Sequence, residues 1–121
     1  MTDARKIAES YIASWNEDDP ERRKALVERH RADRATYVDP IMRARGRVEI
    51  AGLIESVHTR FPGFRFSLIG EPDGFDGHVR FSWGFGPEGE EAPIKGSDVI
   101  VVEEGRIAAV IGFLDQVPAA A

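Results

Sequence analysis

The chain has 121 residues, 42% of them hydrophobic, which fits one domain, residues 1–121, with a core of its own. Its 16 Lys and Arg stand against 21 Asp and Glu, a formal charge of −5 spread along the chain, which argues against a surface that tracks phosphates. The absence of cysteine excludes disulfides, zinc–thiolate sites and cysteine nucleophiles, and permits a reducing compartment.

Met1 to Glu9 lacks the apolar run behind a positive flank that marks a signal peptide, and the longest apolar stretch, Ile107 to Leu114, is too short to span a bilayer. A soluble, cytoplasmic protein that binds neither membrane nor nucleic acid is expected. Arg22, Arg23, Arg29, Arg43, Arg45 and Arg47 make the first half locally basic, but Glu21, Glu28 and Glu49 are interleaved with them, so they read as solvated faces.

Ala8, Tyr11, Ile12 and Trp15 recur at i, i+3, i+4 and i+7, one face of a first helix beginning near Asp3. Asp18 and Asp19 before Pro20 read as a cap with proline at the first helical position, so a second helix runs to His30. Ala35 to Val38 is a short β-prone segment stopped by Asp39-Pro40, since proline has no amide to donate. After a loop from Ile41 to Gly46, the positions Ile50, Leu53, Ile54, Val57 and Phe61 predict a third helix closed by Pro62-Gly63, with His58 at the border of its apolar face.

From residue 64 the period is two. The expected strands are Phe64 to Ile69, His78 to Gly86, Ile94 to Val102 and Arg106 to Leu114, with turns at Glu71 to Gly74 and Glu103 to Gly105 and a loop from Pro87 to Pro93. The tail Gln116 to Ala121 is expected to fray. Helices followed by an antiparallel meander predict an α+β fold with the helices on one face of a curved sheet.

In the strand from Ile94, one face carries Ile94, Gly96, Asp98, Ile100 and Val102, the other Lys95, Ser97, Val99 and Val101. If the first face is concave, Asp98 is a carboxyl group among hydrocarbon, with a raised pKa and a proton to donate; Gly96 would make room beside it for a ligand or a helix. If Val99 and Val101 face the core instead, Asp98 is merely solvated. Asp39 reads equally as a turn-forming aspartate, and Tyr11 as a core tyrosine with its hydroxyl at the edge.

Taken together, Ser10 to Asn16, Ala32 to Pro40, the glycine-led helix Gly46 to Phe61, and Asp98 with the turn that follows its strand resemble the ketosteroid isomerase branch of the NTF2-like (SnoaL-like) superfamily. The resemblance implies an α+β cone, three N-terminal helices packed on a strongly curved antiparallel or mixed sheet enclosing an apolar pocket. It also implies roles: Tyr11 and a protonated Asp98 as an oxyanion hole, and Asp39 as the base. Asp39 would take a proton α to a carbonyl of a small apolar substrate, the dienolate oxygen would be held by Tyr11 and Asp98, and the proton would return at the γ carbon, with no metal or cofactor needed.

Trp15, Phe61, Phe66, Trp83, Phe85 and Phe113 are candidates for the pocket wall, with Phe81, Trp83 and Phe85 as one stripe that faces either the helices or the cavity. His58 offers a different chemistry, as a base working with Asp98 in a polyketide-cyclase or dehydratase manner, or else is a histidine at the core edge. A non-catalytic ligand-binding module of the same shape is the third possibility. His30 and His78 have no acidic partner at metal-ligand spacing, so no metal site is expected. A homodimer formed through the convex sheet face is expected from the family, with Val99 and Val101 among its residues.

Overall fold

The structure, a computed structural model, describes residues 2–118. Three helices, α1 (Ala4–Asn16), α2 (Pro20–His30) and α3 (Gly46–Arg60), pack on one face of an open, curved, six-stranded sheet. The strands are β1 (Arg31–Val38), β2 (Arg43–Arg45), β3 (Phe64–Phe75), β4 (His78–Pro87), β5 (Ile94–Glu103) and β6 (Arg106–Gln116), in the order β2-β1-β6-β5-β4-β3. Every pairing is antiparallel except that of β1 with β6, so the sheet is mixed.

Asp3 caps α1 by accepting the Lys6 N–H, and Asp19 caps α2 by accepting the Arg22 N–H just ahead of Pro20. The α1 face carrying Ala8, Tyr11 and Trp15 is buried. Both side-chain amide atoms of Asn16 engage the Phe66 backbone, at 2.9 and 2.8 Å, which fixes the end of α1 on β3. The core is built from this face, from Ile50, Ile54 and Val57 of α3, and from the inward residues of β4, β5 and β6.

Four details correct the sequence reading. β1 begins at Arg31 rather than Ala35, and the expected loop after Asp39 contains β2, which pairs with β1. No turn forms at Glu71 to Gly74. β3 runs through Pro72, with a register irregularity between Ile69 and Asp73, because it is an edge strand where a missing N–H costs no ladder bond. The turn is Asp76-Gly77, with φ values of 47° and 75°, the left-handed pair that a two-residue hairpin requires; Glu104-Gly105 repeats it between β5 and β6. Of the tail expected to fray, Gln116 belongs to β6, and residues 119–121 lie outside the described residues.

The arginines do not all lie on solvated faces. Arg43 and Arg45 do, but Arg23 is buried, its guanidinium bonding the carbonyls of Glu17 and Asp18 beyond the end of α1. Arg47 donates twice to the Arg31 carbonyl. No helix among the described residues is long and apolar enough to cross a membrane.

Candidate active site

The sheet itself aligns the acidic residues. Phe81 of β4 pairs with Asp98 of β5, and Asp98 with Gly112 of β6, in one row across the strands. The parallel register sets Val38 beside Ile111, so Asp39, the next residue after β1, comes level with Gly112. A methyl group at Gly112 would lie 2.9 Å from Asp98 Oδ1, 3.3 Å from Asp39 Cβ and 3.6 Å from the Tyr37 hydroxyl. Asp98 and Asp39 therefore flank one position, which a side chain at residue 112 would crowd.

Above this row lies a cavity of about 130 Å³. Tyr11, Asp39 and Asp98 all border it, as do Trp15, Phe61, Phe66, Trp83 and Phe85 of the expected wall. The β4 stripe faces the cavity, and Phe81 also packs edge-on against Tyr11 at 5.7 Å between centroids. At the mouth stand Ile41 and Val117, 71% and 56% exposed, so entry is apolar as well.

The two acids are held differently. Asp98 is buried, and its Oδ1 accepts a 2.9 Å bond from the Trp83 indole N–H. Burial pushes its carboxyl up to about 6; the Trp83 donor and then the neighbouring Tyr11 hydroxyl oppose the rise, and the charge of Asp39 adds to it. Gly96 makes room for the Trp83 ring, which lies directly over it, rather than for a ligand or a helix.

Asp39 is half-buried and accepts three bonds: from the Tyr37 hydroxyl at 2.6 Å, and from the Ile41 and Met42 amides at 2.8 and 2.7 Å. Its turn-forming contacts thus coexist with a place in the cavity wall. Tyr37 was not singled out in the sequence, although as the residue two before Asp39 it shares a strand face with it. Burial above all keeps the Tyr37 phenol protonated, with the bond to Asp39 and the Asp39 charge acting in the same direction. Tyr11 is buried and its hydroxyl has no hydrogen-bond partner among the described residues; burial and then the charge of Asp98 raise its pKa, and Arg31 opposes them.

Two expected wall residues lie elsewhere. Phe113 is 55% exposed, because Val110, Gly112 and Leu114 are the inward positions of β6 and the alternation sends Phe113 to the opposite face; Leu114 takes the place in the wall. His58 does not border the cavity. Val57 and Phe61 do, and His58, one residue round the helix, turns to α1, where its Nε2–H donates to the Trp15 carbonyl at 2.6 Å. Its Nδ1 is 3.6 Å from Asp18, so it caps the end of α1 and forms no dyad with Asp98. Among the described residues no group of three or more His, Cys, Asp or Glu is placed to hold a metal ion.

A carboxyl group of raised pKa, a three-donor carboxylate and a free phenol in one apolar cavity are the parts of proton-transfer chemistry. The family model of the SnoaL-like domain matches residues 8–110. No protein of curated function matches the chain. Among solved structures, the "putative isomerase of the SnoaL-like family" from Agrobacterium tumefaciens strain C58 is 46% identical over 96% of this chain and 100% of its own, with a TM-score of 0.91. A "putative ketosteroid isomerase" from Kribbella flavida (16% identity, 98% of this chain and 82% of that one) and a "putative polyketide cyclase" from Sinorhizobium meliloti (18% identity, 88% and 93%) share the fold, each with a TM-score of 0.72. The chain therefore belongs to the SnoaL-like family, on the NTF2-like fold that its curved sheet and three helices already display.

Proposed function

We propose that the protein is an isomerase of the ketosteroid isomerase type, moving a proton α to a carbonyl group of a small apolar substrate. Asp39 takes the proton, Tyr11 and protonated Asp98 donate to the developing enolate oxygen, and Asp39 returns the proton at the γ carbon. The observation that carries this reading is that Asp39 and Asp98 flank Gly112 and border one cavity, one acid buried with its pKa raised and the other half-exposed and held by three donors. Two carboxyl groups whose surroundings differ in this way divide into an acid and a base. The cavity volume of about 130 Å³ lies well under the roughly 300 Å³ at which pockets for drug-sized ligands begin, which favours a substrate smaller than a steroid.

The test is a panel of small β,γ-unsaturated ketones followed by the absorbance of the conjugated product. Turnover is expected in the wild type and its loss in Asp39→Asn; turnover unchanged in that variant defeats the reading. Dehydration or cyclisation on a His58–Asp98 pair is disfavoured by the contact of His58 with the Trp15 carbonyl. If the protein is instead a binding module, ligands of the same panel will stabilise it without being consumed.

The proposal extends to a homodimer formed through the convex sheet face, where Val99 pairs with Ile111 and Phe113 stands exposed. Sedimentation at micromolar concentration is expected to give twice the monomer mass, and a monomer there removes this part.

A further inference from the structure

Among the described residues, three buried side-chain polar atoms lack a hydrogen-bond partner: Tyr11 Oη, Trp15 Nε1 and Arg31 Nη1. All three can donate, and they gather around one ring. Trp15 follows Tyr11 by one helical turn, with 6.3 Å between centroids, and the Arg31 guanidinium lies 4.8 Å from the Tyr11 ring centroid.

Arg31 is the least ordinary of them. It opens β1, its backbone held by an N–H bond to the Val27 carbonyl and by the two Arg47 donors on its own carbonyl, and its side chain is among the most deeply buried in the protein. Among the described residues no carboxylate lies within 4.0 Å of it. Burial lowers its pKa, but a guanidinium still keeps its proton, so this is a buried cation with an aromatic face beside it and no counter-ion among the described residues. The fold does not need such a charge, since an apolar side chain of the same length would fill the space without the desolvation cost.

We propose that Arg31 is a positioning residue for the anion that forms in the cavity, a fixed positive charge behind the Tyr11 ring. The proposal rests on the isomerase reading for the source of that anion, an enolate, but the charge itself acts on any oxyanion bound beside Tyr11. Arg31 does not border the cavity, so it touches no substrate and acts through Tyr11. At an effective dielectric of about 20, a unit positive charge roughly 6 to 12 Å from an anion changes its affinity on the order of a hundredfold to tenfold.

The probe is 4-nitrophenol, an oxyanion mimic whose anion absorbs in the visible, titrated at fixed pH into the wild type and into Arg31→Met, Arg31→Gln and Arg31→Lys, with Tm measured on each. Arg31→Met is expected to raise Tm while weakening binding of the phenolate tenfold or more; Arg31→Gln weakens it similarly, and Arg31→Lys recovers part of it. A purely structural arginine gives the opposite pattern, a lower Tm with phenolate binding intact. Unchanged phenolate affinity in Arg31→Met overturns the proposal, and so does failure of both neutral variants to fold, because the charge would then belong to the fold. The two readings fail separately: if Asp39→Asn leaves turnover intact while Arg31→Met loses phenolate, the base assignment falls and the anion site stands, and the reverse result removes only the role of Arg31.

Discussion

The end of β1 and the middle of β5 each bring one carboxyl group to the same cavity, and the backbone around them makes them different acids. At the end of β1 the chain has just left the sheet, so the turn amides of Ile41 and Met42 are free to bond Asp39, with Tyr37 adding a third donor. In the middle of β5 the amides are consumed by the ladders to β4 and β6, and Asp98 is left with one indole N–H and a hydrocarbon wall. The same side chain is thus held by several donors where a strand ends and desolvated where a strand continues.

The sharpest way to break this comparison is Asp39→Asn. A general base contributes about 10²- to 10⁴-fold, so a loss of that size with ligand binding preserved is expected, measured as kcat on the ketone panel. A loss below about tenfold places the base elsewhere.

Asp98 comes next. Its folded pKa of about 6 lies above the ordinary 3.8, so the unfolded chain ionises first as pH rises. The stability linked to this residue is complete below the ordinary value and is lost as pH rises through about 6. The gap corresponds to about 3 kcal/mol. Asp98→Asn, which keeps an acceptor for Trp83, is expected to stabilise the protein by up to about that amount at pH 7, with the gain vanishing near pH 3 in denaturant titrations. If protonated Asp98 is the donor, kcat/KM also falls about tenfold per pH unit above that pKa, and the asparagine variant loses this limb. A variant less stable at pH 7 contradicts a desolvated acid.

Tyr37→Phe sharpens the other half. It removes one of the three donors to Asp39 and keeps the ring, so about 2 kcal/mol of stability and on the order of tenfold in turnover are expected. Wild-type turnover would show that the two backbone amides suffice to hold the carboxylate.

The smallest effect is expected from His58→Ala, about 1 kcal/mol for the lost bond to the Trp15 carbonyl, with turnover within about twofold of wild type. A hundredfold drop in turnover would return His58 to the chemistry.

Periodicity made much of this legible. The α1 stripe through Tyr11 and Trp15 and the two alternating faces of β5 follow from counting, because a helix face or a sheet face repeats at a fixed interval whatever it packs against; that the Asp98 face is the buried one came from the packing. Counting failed where a partner decides. Phe113 belongs to a strand whose inward set is Val110, Gly112 and Leu114, and His58 lies beside the inward residues of α3 but bonds to the end of α1. Pro72 was a turn signal that its place on an edge strand cancelled. Arg31 gave no signal at all, since a buried arginine and a solvated one are the same letter.

The sequence by itself determined the three helices, the four long strands and the family that the chain resembles, since local propensity and alternation are properties of neighbouring residues. The tertiary structure alone decided that β1 lies parallel to β6, which brings Asp39 level with Gly112 and Asp98, and that Arg31 is buried behind Tyr11 with no counter-ion among the described residues. Those relations join residues dozens of positions apart, and only the packing of strand on strand and helix on sheet fixes them.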